Sequence, residues 1–155
     1  MIVLLQTANV LRPDNYPEGL VGSGVKICEV QTNEGIEKLA VINLMGQFAM
    51  PMVENPFNWA KKLVEELKEK DVKNIFIDFH AEATSEKRIM LMMFKNQVSA
   101  ICGTHTHVGT DDLQIFENTA YLTDIGLTGC KDNVIGMDSK IPIQKVTTGI
   151  GGHFE

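Results

Sequence analysis

Asn55-Pro56-Phe57-Asn58-Trp59-Ala60-Lys61-Lys62-Leu63-Val64-Glu65-Glu66-Leu67-Lys68-Glu69-Lys70, followed after a short break by Asn74-Ile75-Phe76-Ile77-Asp78-Phe79, is the stretch whose reading decides the fold. Asn is a good helix N-cap, and proline suits the first helical position. Phe57, Ala60, Leu63, Val64 and Leu67 then recur at threes and fours, the period of one buried helix face. Lys68 and Lys70 suit the C-terminal end, where the helix dipole is negative. The run 74–79 is short and β-rich, so the helix hands over to a core strand.

Working outward, Arg12-Pro13-Asp14-Asn15-Tyr16-Pro17-Glu18-Gly19 is punctuated by two prolines and a glycine and reads as a loop. Val25 to Gln31 alternates Val25, Ile27 and Glu29 with Lys26, Cys28 and Val30, as a strand does. Asn33-Glu34-Gly35 is turn chemistry, and Lys38 to Leu44 is a second, more central strand, which together predict a hairpin. Beyond the deciding stretch, Thr84-Ser85 can cap a helix over roughly 86–96, and Val98 to Cys102 is the next strand. Leu113 to Phe116 and Ala120 to Leu122 form a further hairpin, and Ser139 to Thr147 a last helix weakened by Pro142. The order β-β-α-β-α-β-β-β-α describes an α/β chain with a layered sheet. At 155 residues it is the size of one domain, 1–155.

Hydrophobic residues make up 44% and charged residues 22%, enough apolar material for a core and far from a disordered composition. The net charge of -6 excludes the basic footprint of a duplex nucleic-acid binder. Cys28, Cys102 and Cys130 are an odd set without a CxxC pair, which reads as buried or partly buried free thiols in a reducing cytoplasm. Met1 to Leu5 is apolar but lacks the basic region of a signal peptide, so it reads as a strand or a trimmed start. No apolar run approaches a membrane span. A soluble, cytoplasmic protein is expected.

The chemistry gathers at strand ends. His80 closes the run 74–79, and Gly103-Thr104-His105-Thr106-His107 follows the run 98–102. Neutral imidazole is the commonest metal ligand at neutral pH, and sites in open α/β sheets lie beyond the carboxyl ends of strands. Three of the four histidines fall at two such ends, so His80, His105 and His107 are read as metal ligands; His153, in a Gly-rich tail, is read as solvated. Gly103 is expected to let the backbone bend. Asp78 shares a strand face with His80 and is a candidate ligand or outer partner, with a structural role equally open. Asp124 ends another strand and can orient a histidine through its second nitrogen. Glu82 is set aside as pointing away, Asp111 and Asp112 as ordinary loop charges, and Cys102 as a buried strand residue. No GxxxxGK[ST] cradle or GxSxG elbow is present. No catalytic acid or base is assigned.

With these residues in hand, the chain resembles the calcineurin-like metallophosphoesterases, in particular the bacterial branch described as 2′,3′-cyclic-nucleotide 2′-phosphodiesterases. The resemblance rests on the stretches 11–17, 40–46, 55–57, 123–129 and 135–138. Its most specific parts are Asp78-Phe79-His80-Ala81-Glu82-Ala83-Thr84-Ser85-Glu86-Lys87 and Gly103-Thr104-His105-Thr106-His107-Val108. It implies a four-layer α/β/β/α sandwich with two metal ions (Fe, Mn or Zn) in the crevice between sheets. His80 and His105 match ligands of one ion and His107 a ligand of the other. It further implies metal-assisted hydrolysis of a small phosphoester, such as a cyclic nucleotide.

The family pattern also begins with a ligand Asp, a Gly-Glu-Asn motif and a Gly-Asn-His motif, all ahead of a loop that here starts at Arg12. The expectation is therefore a central and C-terminal part of the domain, lacking the bridging carboxylate and a general-acid histidine. Two further readings stay open: a metal- or partner-binding module, including a homo-oligomer, and a mononuclear zinc hydrolase using His80, His105 and His107.

Overall fold

Asn55 caps the first helix: its side chain accepts hydrogen bonds from the Phe57 and Asn58 N–H groups, both at 3.0 Å, and Pro56 opens the helix. In the computed structural model, which describes residues 9–130 and 132–152, this helix (α1) spans Pro56–Glu69 and buries Ala60, Val64 and Leu67. The expectations for Met1 to Leu5 and for His153 lie outside the described residues. Strands β1 (Val25–Thr32) and β2 (Gly35–Met45) precede it, and β3 (Asn74–His80) follows. Next come α2 (Thr84–Phe94), β4 (Ala100–Thr104), β5 (Gln114–Phe116), β6 (Thr119–Leu122) and α3 (Lys140–Thr148).

The described strands form one six-stranded sheet in the order β1-β2-β3-β4-β6-β5. Strands β2, β3, β4 and β6 run parallel, and antiparallel hairpin partners close both edges. The crossovers through α1 and α2 step the same way across the sheet, and right-handed crossovers therefore put both helices on one face. That face supplies the core: Ala40, Ile42, Leu44, Ile75, Ile77, Phe79, Ile101 and Tyr121 pack with Val64, Leu67, Met90, Leu91 and Phe94. The opposite face carries half-buried Leu39, Val41, Phe76 and Ala100, and turns polar toward its carboxyl end at Asn43, Asp78, Thr104 and His80. Of the four layers implied by the resemblance, a helix layer and one sheet lie among the described residues.

Three elements differ from expectation. Helix α2 starts at Thr84, with Ala83 in the cap position and no side-chain cap. Its Glu86 instead reaches back to accept from the N–H groups of Gln47 (3.0 Å) and Phe48 (3.4 Å), tying the first turn to the loop after β2. Strand β4 is displaced by two residues, because the Val98 N–H bonds the Phe94 carbonyl and finishes the turn after α2. Gly103 and Thr104 then extend the ladder opposite Phe79 and His80. Helix α3 tolerates Pro142 because the residue sits in the first turn, where its missing N–H costs no helical bond. All three cysteines are free, and Cys130 is exposed rather than buried, since it lies in the loop after Gly129. No helix among the described residues is long and apolar enough to cross a membrane.

Candidate metal centre

The parallel ladder sets Met45, His80 and Thr104 side by side at the carboxyl ends of β2, β3 and β4. From there His80 Nε2 and His105 Nδ1 face each other at 3.1 Å, with the rings nearly perpendicular at 83°. The far nitrogens have their own partners. Thr104 Oγ1 donates to Asp78 Oδ1 at 3.0 Å, so its hydroxyl is left to accept from His80 Nδ1–H, also at 3.0 Å. Asn43 Nδ2 donates to the other Asp78 oxygen at 2.7 Å and fixes that carboxylate. On His105, Nε2 lies 3.3 Å from Glu82 Oε2, which can only accept from an N–H when ionised.

The Thr104 bond places the His80 proton on Nδ1 and leaves a lone pair on Nε2, which accepts from His105 Nδ1–H in one His105 tautomer and faces a second lone pair in the other. Two lone pairs 3.1 Å apart repel unless a cation stands between them. Two nitrogens bound to one ion at about 2.0–2.1 Å, with angles near those of tetrahedral or octahedral geometry, stand roughly 3.0–3.4 Å apart. The pair therefore fits a metal ion in spacing, with His105 carrying its proton on Nε2. Burial, then the neighbouring His105, pushes the His80 imidazole below its usual value and keeps it neutral, against the opposing pull of Asp78. Replacing Thr104 with Val breaks the Asp78–Thr104–His80 relay. It is expected to weaken metal affinity by about 10–100-fold, as loss of an outer partner commonly does, readable by calorimetric titration.

His107 does not join the pair. Its Nδ1 donates to the Ile135 carbonyl at 2.9 Å, and the residue is exposed. Among the described residues no three His, Cys, Asp or Glu side chains gather as a metal cage, so the three-His set is not formed here. Both loop histidines have a left-handed backbone, with φ 107° at His105 and 64° at His107. Such conformations cost of order 1–3 kcal/mol each and cluster at functional sites.

Asp124 lies beneath this loop and is buried. It accepts from the Thr106 N–H (3.2 Å) and hydroxyl (2.8 Å), between the two histidines, and from the Gly126 N–H (2.8 Å). Its ion-pair partner is Lys87 of α2, Nζ to Oδ2 at 2.8 Å, with both side chains 1% exposed. Burial pushes the Asp124 carboxyl up, but the Lys87, Gly126 and Thr106 bonds outweigh it and hold it below the usual range. Gly103 is required for space and not for a bend: a methyl there would overlap the Thr123 carbonyl oxygen and sit 2.8 Å from Lys87 Cδ. Gly103→Ala should cost about 1–3 kcal/mol or more, the range of overpacking, in a urea unfolding curve.

Lys87 is the residue that sequence reasoning passed over. Only its place in the 78–87 block marked it out. Glu82 turns toward the site, against His105, because the chain reverses after β3 to start α2. Asp112 is more than a loop charge: it accepts from the Thr123 N–H at 3.1 Å and the Thr110 hydroxyl at 2.7 Å, and so organises the loop leading to Asp124.

A parallel α/β sheet here carries a facing histidine pair beyond its strand ends, an arrangement that could hold a metal ion. The chain belongs to the YmdB-like protein family, whose pattern matches residues 1–155. It is 43% identical over 147 residues to the 2′,3′-cyclic-nucleotide 2′-phosphodiesterase of Bacillus subtilis (strain 168), covering 94% of this chain and 54% of that protein. A crystal structure of a hypothetical protein from Thermus thermophilus superposes with a TM-score of 0.87 at 34% identity, over 99% of this chain and 59% of that one. A novel phosphatase from Mycoplasma pneumoniae superposes with a TM-score of 0.86 at 34% identity, over 99% and 55%. The chain spans about half the length of the curated relatives it matches.

Proposed function

We propose that the chain supplies the His80–His105 half of a metal-dependent phosphoesterase site acting on phosphodiesters such as 2′,3′-cyclic nucleotides. The observation that carries this is the facing pair of imidazole nitrogens, 3.1 Å apart, with the other nitrogen of His80 bonded to Thr104 and that of His105 3.3 Å from Glu82. His80 and His105 would hold one divalent or ferric ion (Fe, Mn or Zn), and His107 Nε2 is free to serve a second. A bound ion of this kind acidifies a water molecule and neutralises phosphoryl oxygens. Asp78, through Thr104, holds His80 in the required tautomer, and Asp124 fixes the loop that presents His105 and His107. The likeness to a phosphodiesterase over nearly the whole chain supports the same chemistry.

The test is hydrolysis of bis-p-nitrophenyl phosphate and 2′,3′-cyclic AMP with Mn or Fe, by this chain and by one extended to the length of its relatives. The chain alone is expected to turn over slowly or not at all, because two neutral imidazoles cannot hold two cations close together without a carboxylate between them. The extended protein should be active and should lose activity in His105→Ala. Full activity of the extended His105→Ala protein would remove the proposal.

The half-buried apolar sheet face favours a second reading, a partner-binding module whose partner is another copy of this chain. Leu39, Val41, Phe76 and Ala100 form a continuous surface there. Light scattering at micromolar to millimolar concentration decides it: a monomer throughout leaves that reading without support.

A further inference from the structure

Helices α1 and α2 lie in one layer on the same face of the sheet, yet their outward sides differ in kind. On α1 the exposed positions are Asn58, Lys61, Lys62, Glu65, Lys68 and Glu69, the charged surface of a helix that faces water. On α2 they are Thr84, Ser85, Ile89, Met92 and Met93, with no charge among them. Ile89, Met92 and Met93 are 46%, 43% and 38% exposed, and their spacing of three and four residues sets them in one stripe. Phe48, 65% exposed, prolongs the stripe past the helix start, because its N–H is held at 3.4 Å by Glu86, one turn before Ile89. The cations beside the stripe are engaged with neighbours: Arg88 lies over the Phe116 and Tyr121 rings, and Lys95 pairs with Glu117 at 2.7 Å. A grouped apolar surface on an otherwise solvated helix layer marks a protein contact.

We infer that the outward face of α2 is a contact between two copies of this chain, packed antiparallel across a twofold axis. Charge selects the occupant. The chain carries a net charge of -6, so two copies repel where their charged surfaces meet, and α2 offers them an uncharged strip. A strongly basic or acidic partner would find no charge on that strip to pair with. A twofold contact also requires a self-complementary surface. With the helices crossing level with Met90–Leu91, Ile89 meets the partner's Met92, and Glu86 comes toward the partner's Lys95. Antiparallel packing sets the two helix dipoles in opposition, which is their favourable arrangement. The contact lies on the side of the sheet away from Leu39, Val41, Phe76 and Ala100, and is independent of the copy-to-copy reading of that face.

Sedimentation equilibrium on the full chain, from micromolar to millimolar concentration, should show the mass rise from one copy to two. Ile89→Glu and Met92→Lys each place an unpaired charge at the crossing, and each should weaken dimerisation about tenfold or more. Both positions are exposed in the single chain, so the urea midpoints of the variants should match the parent's. An equimolar mixture of the two variants should associate again, because the carboxylate introduced in one chain then faces the ammonium introduced in the other. Val41→Glu, on the other face of the sheet, should leave the dimer intact. A parent that stays monomeric at millimolar concentration, variants that dimerise like the parent, or a mixture that stays monomeric would each overturn the assignment. A dimer lost in Val41→Glu but kept in both α2 variants would overturn it too, and would give the contact to the sheet face.

Discussion

Lys87→Met is expected to destabilise the protein by about 3–5 kcal/mol, the cost of stripping a partner from a buried ion pair. Lys87 Nζ and Asp124 Oδ2 meet at 2.8 Å with both side chains 1% exposed, so the remaining carboxylate would have no cation and little water. Methionine nearly matches the lysine stem, which keeps the packing against Gly103 and isolates the charge effect. Urea unfolding measures the loss, and a change below about 1 kcal/mol would place the pair with weak surface bridges instead. The double variant Lys87→Met, Asp124→Leu should regain part of the stability, because neither charge is then stranded. It should not regain metal affinity, since the Thr106 N–H would have lost its acceptor and the His105–His107 loop its anchor. The pH dependence has a definite sign. Asp124 titrates below its unfolded value, so its stabilisation is present above about pH 4 and is lost as pH falls through the folded value. Asp124→Asn should be less stable than the parent at neutral pH and converge with it in acid.

His80→Ala and His105→Ala should each lower metal affinity by more than about 100-fold, beyond the roughly 10–100-fold loss expected for an outer partner such as Thr104. Each removes one of the two nitrogens that face each other at 3.1 Å, and the survivor alone is a single imidazole. His107→Ala should change the affinity for the first ion by far less, because its Nδ1 is engaged with Ile135 and its ring stands apart from the pair. Isothermal titration with Mn²⁺ or Zn²⁺ ranks the three variants. Equal losses for all three would mean that His107 swings in to share the first ion, and an unaffected His80→Ala would mean that the pair holds no metal.

Local signals carried most of the fold. Asn55 and Pro56 specify the start of α1 by themselves, since cap and proline act within one turn, and the alternation around Ile75, Ile77 and Phe79 names the buried face of β3. Strand-end position was enough to single out His80 and His105. What escaped was set by distance along the chain. Thr84-Ser85 has the composition of a cap, yet the helix start was decided by Glu86 bonding backbone some 38–39 residues earlier. The β4 limits depended on pairing with β3, which a single run cannot reveal. Lys87 and Asp124 are 37 residues apart, and neither alone shows that it is buried. Gly103 was readable as a special position, but its cause, the Thr123 carbonyl lying against it, required the neighbouring strand.

The backbone of His105, at φ 107°, is one that glycine adopts freely and histidine does not. A glycine at that position should make the protein more heat-resistant while removing one of the two facing imidazoles. Laboratory evolution that rewards thermal endurance alone would therefore discard this residue early, and with it one side of the facing imidazole pair. Stabilising mutations in natural proteins commonly carry such a functional penalty. A histidine retained at position 105 through rounds of heat challenge would show that its contacts with Glu82 and His80 outweigh the backbone cost.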